Sequence, residues 1–335
     1  MQTIGVIGAG YWGKNLIRTL SGMDSVRLKY VADRSSAVLA ALAKNYPLVF
    51  PTDDYQRILD DPEVNAVVVS APAVHHHEIA KRVLLSGKHA FIEKPMTIEA
   101  AHARELVELA DERNLKLMVG HLLLYHPCIT AVKTIIDRGE IGDICYIYSQ
   151  RLNFGTVRSD ENALYSLAPH DISVTLHLLG SAPVWVSASG RSCHRNGVED
   201  VVYLTMKFPN GTIAHVHVSW LDPNKVRRIT VVGSRKMVVF DDVEPVEKVR
   251  IHDKSVDFSI ERGANGESLT LRNGGIFVPD IQMTEPLKLE CAHFIHCIEN
   301  GVTPLSDGRN GLLVTRVLEA GQRSLKLDGV PVKVG

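Results

Sequence analysis

Residues 4–20 read IGVIGAGYWGKNLIRTL. A short apolar run (Ile4, Val6, Ile7) enters Gly8-Ala9-Gly10-Tyr11-Trp12-Gly13, and apolar residues return at Leu16, Ile17 and Leu20, so a strand passes into a helix across glycines. In such a turn the first glycine permits a tight bend, the second lets a pyrophosphate approach the backbone, and the third lets helix and strand pack closely. The new helix points its free N–H groups and the positive end of its dipole at the phosphates. A second apolar run (Val26, Leu28, Tyr30, Val31) ends at Asp33, twenty residues past Gly13, where a carboxylate accepts hydrogen bonds from an adenosine ribose. The spacing predicts a dinucleotide bound by Gly8, Gly10, Tyr11, Trp12, Gly13 and Asp33. NAD is preferred over NADP because Asp33 repels a 2′-phosphate, and Arg34 beside it softens that preference.

Beyond this stretch the pattern alternates as in a doubly wound α/β domain. A helix is expected over 35–45, a short extended piece at 48–50, and at 66–70 (AVVVS) a strand apolar on both faces, as in the middle of a parallel sheet. Ligands of such sheets lie beyond the carboxyl ends of strands, so Ser70, Ala71 and Pro72 should border the cofactor. A helix from 75 to 86 closes at Gly87, and the strand 89–92 ends in Glu93-Lys94-Pro95. Thr97 is expected to open the next helix, and the strand 115–119 to lead into the crossing GHLLLYHP at 120–127. From Ile144 the texture changes to alternating Val, Ile and Tyr runs at 144–153, 184–192, 198–208, 212–220, 227–232 and 236–241, with Pro-Asn-Gly as a hairpin turn at 209–211. One helix, starting at Pro169, interrupts them. A polar, Gly-rich region at 261–275 precedes helices at 286–300 and 308–327. The expected organisation is therefore a Rossmann doubly wound parallel sheet over 1–121 and an α+β domain with a large, mostly antiparallel open sheet over 122–335.

Composition narrows the function. Lys+Arg number 37 and Asp+Glu 38, a net charge of −1, so no global field attracts nucleic acid or an anionic membrane. Five cysteines, odd in number and without CxxC, suit a reducing compartment, and no apolar run has membrane-spanning length. A cytoplasmic location is expected. No metal is expected either, although Cys291, His293, His296 and Cys297 share one stretch.

Two residues have the chemistry for catalysis. Lys94, at a strand's carboxyl end, can hold a substrate hydroxyl and stabilise charge on its oxygen. His170, read at the start of a helix after Pro169, would be kept neutral by the helix dipole and ready to accept a proton.

The N-terminal GxGxxG, Ala71-Pro72 with His76 after it, Ser86-Gly87-Lys88-His89 leading to Glu93-Lys94-Pro95, and the helix bearing His170 together resemble the glucose-fructose oxidoreductase/inositol dehydrogenase/MocA family. The resemblance runs to Pro286-Leu287-Lys288-Leu289-Glu290 and Asp307-Gly308. It implies NAD(P)-dependent chemistry on sugars, Lys94 and His170 as catalytic residues, His76, Glu93 and Lys94 near the cofactor, and a homo-oligomer, dimer or tetramer, through the C-terminal sheet. Many members carry an aspartate four residues before the histidine; here that position is Ser166. Residues 120–127, 151–155 and 168–173 look most like the branch that oxidises nucleotide-linked sugars, the UDP-N-acetylglucosamine or UDP-N-acetylglucosaminuronate 3-dehydrogenases. That likeness implies polysaccharide biosynthesis as the setting and a substrate site including Lys94, Tyr125, Arg151, Asn153, His170 and Asp171. Arg158, Lys225, Arg227 and Arg228 are further donors for an anionic substrate. Two other readings share these motifs: reduction of a keto-sugar or polyol relative, and a non-catalytic dinucleotide sensor.

Overall fold

The glycine-rich turn emerges from β1 (Gln2–Ile7) and enters α1 (Gly13–Ser21). There follow β2 (Val26–Ala32), α2 (Ser36–Asn45), β3 (Phe50–Thr52), α3 (Gln56–Asp60), β4 (Ala66–Val69), α4 (His76–Leu85), β5 (His89–Glu93), α5 (Ala100–Glu112) and β6 (Leu117–Gly120). The computed structural model describes residues 1–158, 161–259 and 268–335. All six strands are parallel, in the order β3-β2-β1-β4-β5-β6. β1 and β4 lie centrally, which is why Val6 and all four residues of β4 have no exposed surface beyond a trace. Helices α4 and α5 supply Ile79, Val83, Ala103 and Leu106 to the core over the sheet. The chain does not enter α5 at Thr97: the Thr97 hydroxyl donates to the carbonyl of Glu99, and the helix begins at Ala100.

The second unit contains α6 (Pro127–Asp137), β7 (Ile144–Phe154), α7 (Ala163–Leu179), β8 (Trp185–Arg191), β9 (Val201–Lys207), β10 (Ile213–Ser219), β11 (Leu221–Gly233), β12 (Met237–Asp241), β13 (Val249–Ser259) and β14 (Ser268–Phe277). After α8 (Pro286–Asn300) and α9 (Gly308–Lys326), β15 (Val332–Lys333) completes its sheet, ordered β14-β13-β12-β11-β7-β10-β9-β8-β15. Among the described residues of this sheet, only β7 and β10 pair in parallel. The hairpin at 209–211 joins β9 to β10, with Gly211 at φ +87°. Alternation places Val202, Leu204, Met206, Ala214, Val216 and Val218 on the face covered by α7 and leaves Tyr146, Tyr148 and Tyr203 on the open face. Of the Gly-rich region at 261–275, residues 268–275 belong to β14; 261–267 lie outside the described residues. Short alternating runs of polar and apolar residues around Gly274 and Gly275 hide a strand that is paired on one side only.

Two expectations are corrected. The first compact unit comprises Met1–Tyr125 and Thr284–Glu319, and the second His126–Met283 and Ala320–Gly335, so residues 284–319 do not belong with the C-terminal sheet. The reason is the free edge of β6. The amide of Val119 donates to the Ser306 carbonyl at 2.8 Å and the Ser306 hydroxyl to the Val119 carbonyl at 2.6 Å, while Phe294 of α8 meets Phe91 edge-on at 5.6 Å. The second correction concerns His170. α7 starts at Ala163, where the Asn162 side chain accepts the Tyr165 N–H, so Pro169 and His170 lie inside the helix. The stretch ALYSLA before Pro169 is strongly helix-forming, and its cap outweighs the proline as a start signal. The dipole argument for a neutral His170 therefore lapses, because that effect is confined to the first turn. Among the described residues no helix is long and apolar enough to cross a membrane.

Candidate active site

In the first unit the strand ends assemble a cradle. Gly8 has φ +98°, and a Cβ there would lie 2.6 Å from the Ser70 carbonyl oxygen; one on Gly13 would lie 2.2 Å from the Gly8 carbonyl oxygen. Both positions exclude side chains for steric reasons. Gly10 differs, because a Cβ there would meet nothing within 4 Å, so its backbone faces open space as a phosphate-binding amide must. The Ser70 hydroxyl reaches the Gly8 carbonyl at 3.3 Å. Asp33 fastens the loop to β2: one carboxylate oxygen accepts the Ala9 N–H at 2.8 Å and the other the Ser35 N–H at 2.9 Å. Tyr11 is 93% exposed, whereas the Trp12 indole N–H donates to Glu93 Oε1 at 2.6 Å. These groups suit a dinucleotide, with amides and a helix start for the phosphates and a carboxylate at the end of β2 for a ribose.

At the end of β5, Glu93 is buried, and its second oxygen accepts the Lys94 N–H at 3.2 Å. A Cβ on Gly120 would approach this carboxyl group to 3.0 Å and crowd it. Burial pushes the Glu93 carboxyl up to about 7 against the opposing pull of the Lys94 charge and the Trp12 hydrogen bond. Lys94 is half-buried and precedes a cis peptide bond to Pro95. His76 is fully engaged: Nδ1 lies 2.8 Å from the Pro95 carbonyl oxygen and Nε2 2.7 Å from that of Ala71. Burial lowers its proton affinity despite these carbonyls, so the neutral ring donates to one of them. It ties the end of β4 to the segment after β5 and offers no ring nitrogen to a ligand. Tyr125, expected at the substrate, is also withdrawn, its hydroxyl bonded to the Ser306 side chain at 2.8 Å and its acidity suppressed by burial.

Two groups in this unit escaped sequence reasoning. Glu290 on α8 is wholly buried, with neither carboxyl oxygen hydrogen-bonded among the described residues; burial first, and the Glu93 charge second, raise its pKa well above the ordinary range. The signal was available, since Leu287, Glu290, Cys291 and Phe294 share one helical stripe and an acid on it is out of place. His121, just past β6, is the other.

Glu93 yields a pH prediction. An ordinary glutamate titrates near 4.3, so in the interval up to about 7 the folded chain holds a proton that the unfolded chain has lost. Stability contributed by this site is therefore present at low pH, falls as pH rises through that window, and is level above it. Glu93→Gln keeps an oxygen for Trp12, loses the acceptor facing the Lys94 N–H at every pH, and cannot ionise. Relative to the wild type, the variant should therefore gain roughly 5 °C in melting temperature between pH 5 and pH 8. Parallel melting curves across that range would refute the assignment.

In the second unit the period of β7 turns Ile147, Ser149, Arg151 and Asn153 toward one face. Arg151 Nε donates to the buried Asp171 carboxylate of α7 at 2.6 Å. Arg151, expected as a phosphate donor, thus already holds an anion, and Asp171 is its partner and not a free acid. Arg158 pairs with Glu161, Arg227 with Asp242, and Arg228 grips Asp241 through Nε and Nη2 at 3.0 and 2.7 Å. His170 adjoins Asp171 and is half-buried, its carbonyl accepting the Ser173 hydroxyl at 2.9 Å; Ser166 is buried one turn earlier.

Residues 2–121 match the model of an oxidoreductase family with an NAD-binding Rossmann fold, and residues 129–239 match the Gfo/Idh/MocA C-terminal domain. The chain belongs to the Gfo/Idh/MocA oxidoreductase family. As a member of the Gfo/Idh/MocA family it is an NAD-binding enzyme, an oxidoreductase acting on CH–OH groups. It is 30% identical over 230 residues to the UDP-N-acetylglucosamine 3-dehydrogenase of Acidithiobacillus ferrooxidans, covering 68% of this chain and 70% of the relative. It is 27% identical over 332 residues to inositol 2-dehydrogenase of Rhizobium meliloti, covering 96% of each. The solved structure of the A. ferrooxidans enzyme superposes with a TM-score of 0.82 at 24% identity over 97% of this chain and 98% of that one, a likeness of fold.

Proposed function

We propose that the protein oxidises a hydroxyl, at C3, of a nucleotide-linked sugar of the UDP-N-acetylglucosamine or UDP-N-acetylglucosaminuronate class, in polysaccharide biosynthesis. The observation that carries this reading is the 30% identity to a relative named for that reaction, in a chain that keeps Lys94 after β5 and His170 on α7. NAD, when bound, supplies the hydride acceptor. Lys94 holds the substrate oxygen and stabilises its developing negative charge, and His170 removes the hydroxyl proton. The ion pair of Arg151 with Asp171 holds the helix turn that carries His170. Asn153 offers the substrate an amide. The open tyrosine-bearing face of the second sheet supports a homo-oligomer, and the balanced charge and free cysteines support a cytoplasmic setting.

The relatives that act on inositol favour a second reading, a polyol dehydrogenase, because one of them aligns along 96% of the chain. Thermal melting with NADH present separates the two. UDP-N-acetylglucosamine or its uronate should raise the melting temperature, by the equivalent of about 2.7 kcal/mol at a hundredfold excess over Kd, and myo-inositol should not. A shift with inositol alone would transfer the assignment to the polyol.

A further inference from the structure

Trp12 occupies the position that caps α1, and its side chain makes no cap bond among the described residues. Serine, threonine, aspartate or asparagine there would accept one of the helix's first N–H groups and stabilise it. An indole has a donor and no acceptor, so no side-chain cap competes with a phosphate for those amides. The stabilising cap is forgone, and the side chain is used elsewhere. Its Nε1–H donates to Glu93 Oε1 at 2.6 Å, across 81 positions of sequence, and so joins the loop after β1 to the end of β5. In the sheet β4 lies between those two strands, so no backbone ladder links them directly.

Burying the Glu93 carboxyl is unfavourable unless its oxygens find donors. Both do. One takes the Trp12 indole N–H and the other the Lys94 backbone N–H at 3.2 Å. The two oxygens belong to one rigid planar group, so a donor that fixes the first also orients the second toward Lys94.

We infer that Trp12 is a positioning residue for Lys94: its indole N–H fixes the Glu93 carboxyl, which holds the Lys94 backbone, so the phosphate loop and the strand end bearing the lysine share one frame. A lysine that holds a substrate oxygen must be placed relative to the cofactor, and the loop that seats the cofactor is the natural anchor for it. The inference rests on the catalytic reading of Lys94.

Hydrogen exchange of single backbone amides, followed by NMR on the full chain without ligand, tests it. The Lys94 amide is the reporter. The Val119 amide, on neighbouring β6, is the internal control, because it donates to the Ser306 carbonyl at 2.8 Å and has no bond to Glu93. Trp12→Phe keeps an aromatic ring and loses the donor. It should speed exchange at Lys94 about tenfold, the effect of losing one hydrogen bond to a charged group, with Val119 unchanged. Benzothienylalanine at position 12 keeps the bicyclic shape and has sulfur in place of the N–H; it should act in the same way, and it carries the test alone should Trp12→Phe fail to fold. NAD affinity of the benzothienylalanine protein, measured by calorimetric titration, should match the wild type. Equal Lys94 rates in the wild type and the benzothienylalanine protein overturn the proposal, as does a rise at Val119 in step with Lys94, which makes Trp12 a packing residue only. Weakened NAD binding with an unchanged Lys94 rate overturns it as well and gives the indole to the cofactor. Turnover of Lys94→Ala is a separate measurement: activity retained in that variant defeats the catalytic reading and leaves the exchange result standing.

Discussion

Lys94→Ala and His170→Asn should each bind NAD as the wild type does and turn over about 10²- to 10⁴-fold more slowly, the range expected when a group that transfers or holds a proton is removed. Both variants should fold. The bond from the Lys94 amide to Glu93 is a backbone bond that alanine retains, and the carbonyl of residue 170 that accepts the Ser173 hydroxyl is likewise unaffected by asparagine. Lys94 lies outside the Gly8–Gly13 loop and Asp33, so dinucleotide affinity, measured by calorimetric titration, should change little. Steady-state turnover with the sugar that raises the melting temperature is the decisive reading. Activity within tenfold of wild type in both variants would remove them from the reaction and favour a dinucleotide sensor. A loss confined to Lys94→Ala would assign the proton to another base in the second unit.

Gly8→Ala and Gly10→Ala should separate folding from cofactor binding within three residues. At Gly8 the new methyl group meets the carbonyl oxygen of Ser70 at 2.6 Å and its carbon at 2.7 Å, from a backbone at φ +98°. The carbonyl belongs to the end of β4 and cannot swing aside, so strain and overpacking should cost about 2–4 kcal/mol, and the melting temperature should fall by roughly 5–10 °C. At Gly10 nothing lies within 4 Å, and alanine should leave melting unchanged. Its methyl group would stand where the pyrophosphate approaches, weakening NAD by about tenfold or more. Calorimetric titration with NAD, beside thermal melting, reads both quantities. A stable Gly8→Ala protein, or a Gly10→Ala protein with wild-type affinity, would contradict the loop geometry.

Much of the first domain could be read from local pattern because its determinants are local. Gly8, Gly10, Gly13 and Asp33 announce a strand, a turn, a helix and a second strand end through fixed spacings that the backbone imposes. AVVV at 66–69 announces a central strand because only burial on both faces permits four such residues in succession. Period-2 runs likewise revealed most strands of the second sheet. His170 was misplaced because Pro169 is a start signal only when no better cap precedes it, and Asn162 does. Hydrogen-bond partners were beyond reach in principle: Arg151 looks like a phosphate donor until α7 brings Asp171 to 2.6 Å, and Tyr125 and His76 look available until Ser306 and two carbonyls occupy them.

The sequence by itself therefore determined the parallel sheet, its glycine loop, the carboxylate at the end of β2 and the lysine after β5, because each depends on neighbours along the chain. Only the tertiary structure decided that residues 284–319 return to the free edge of β6, that Glu290 is buried near Glu93, and that Asn310 holds the buried ring of His121. Those relations join residues some two hundred positions apart. They follow from an unpaired strand edge and an apolar helix stripe that must be covered, and nothing in the local spacing of residues records what covers them.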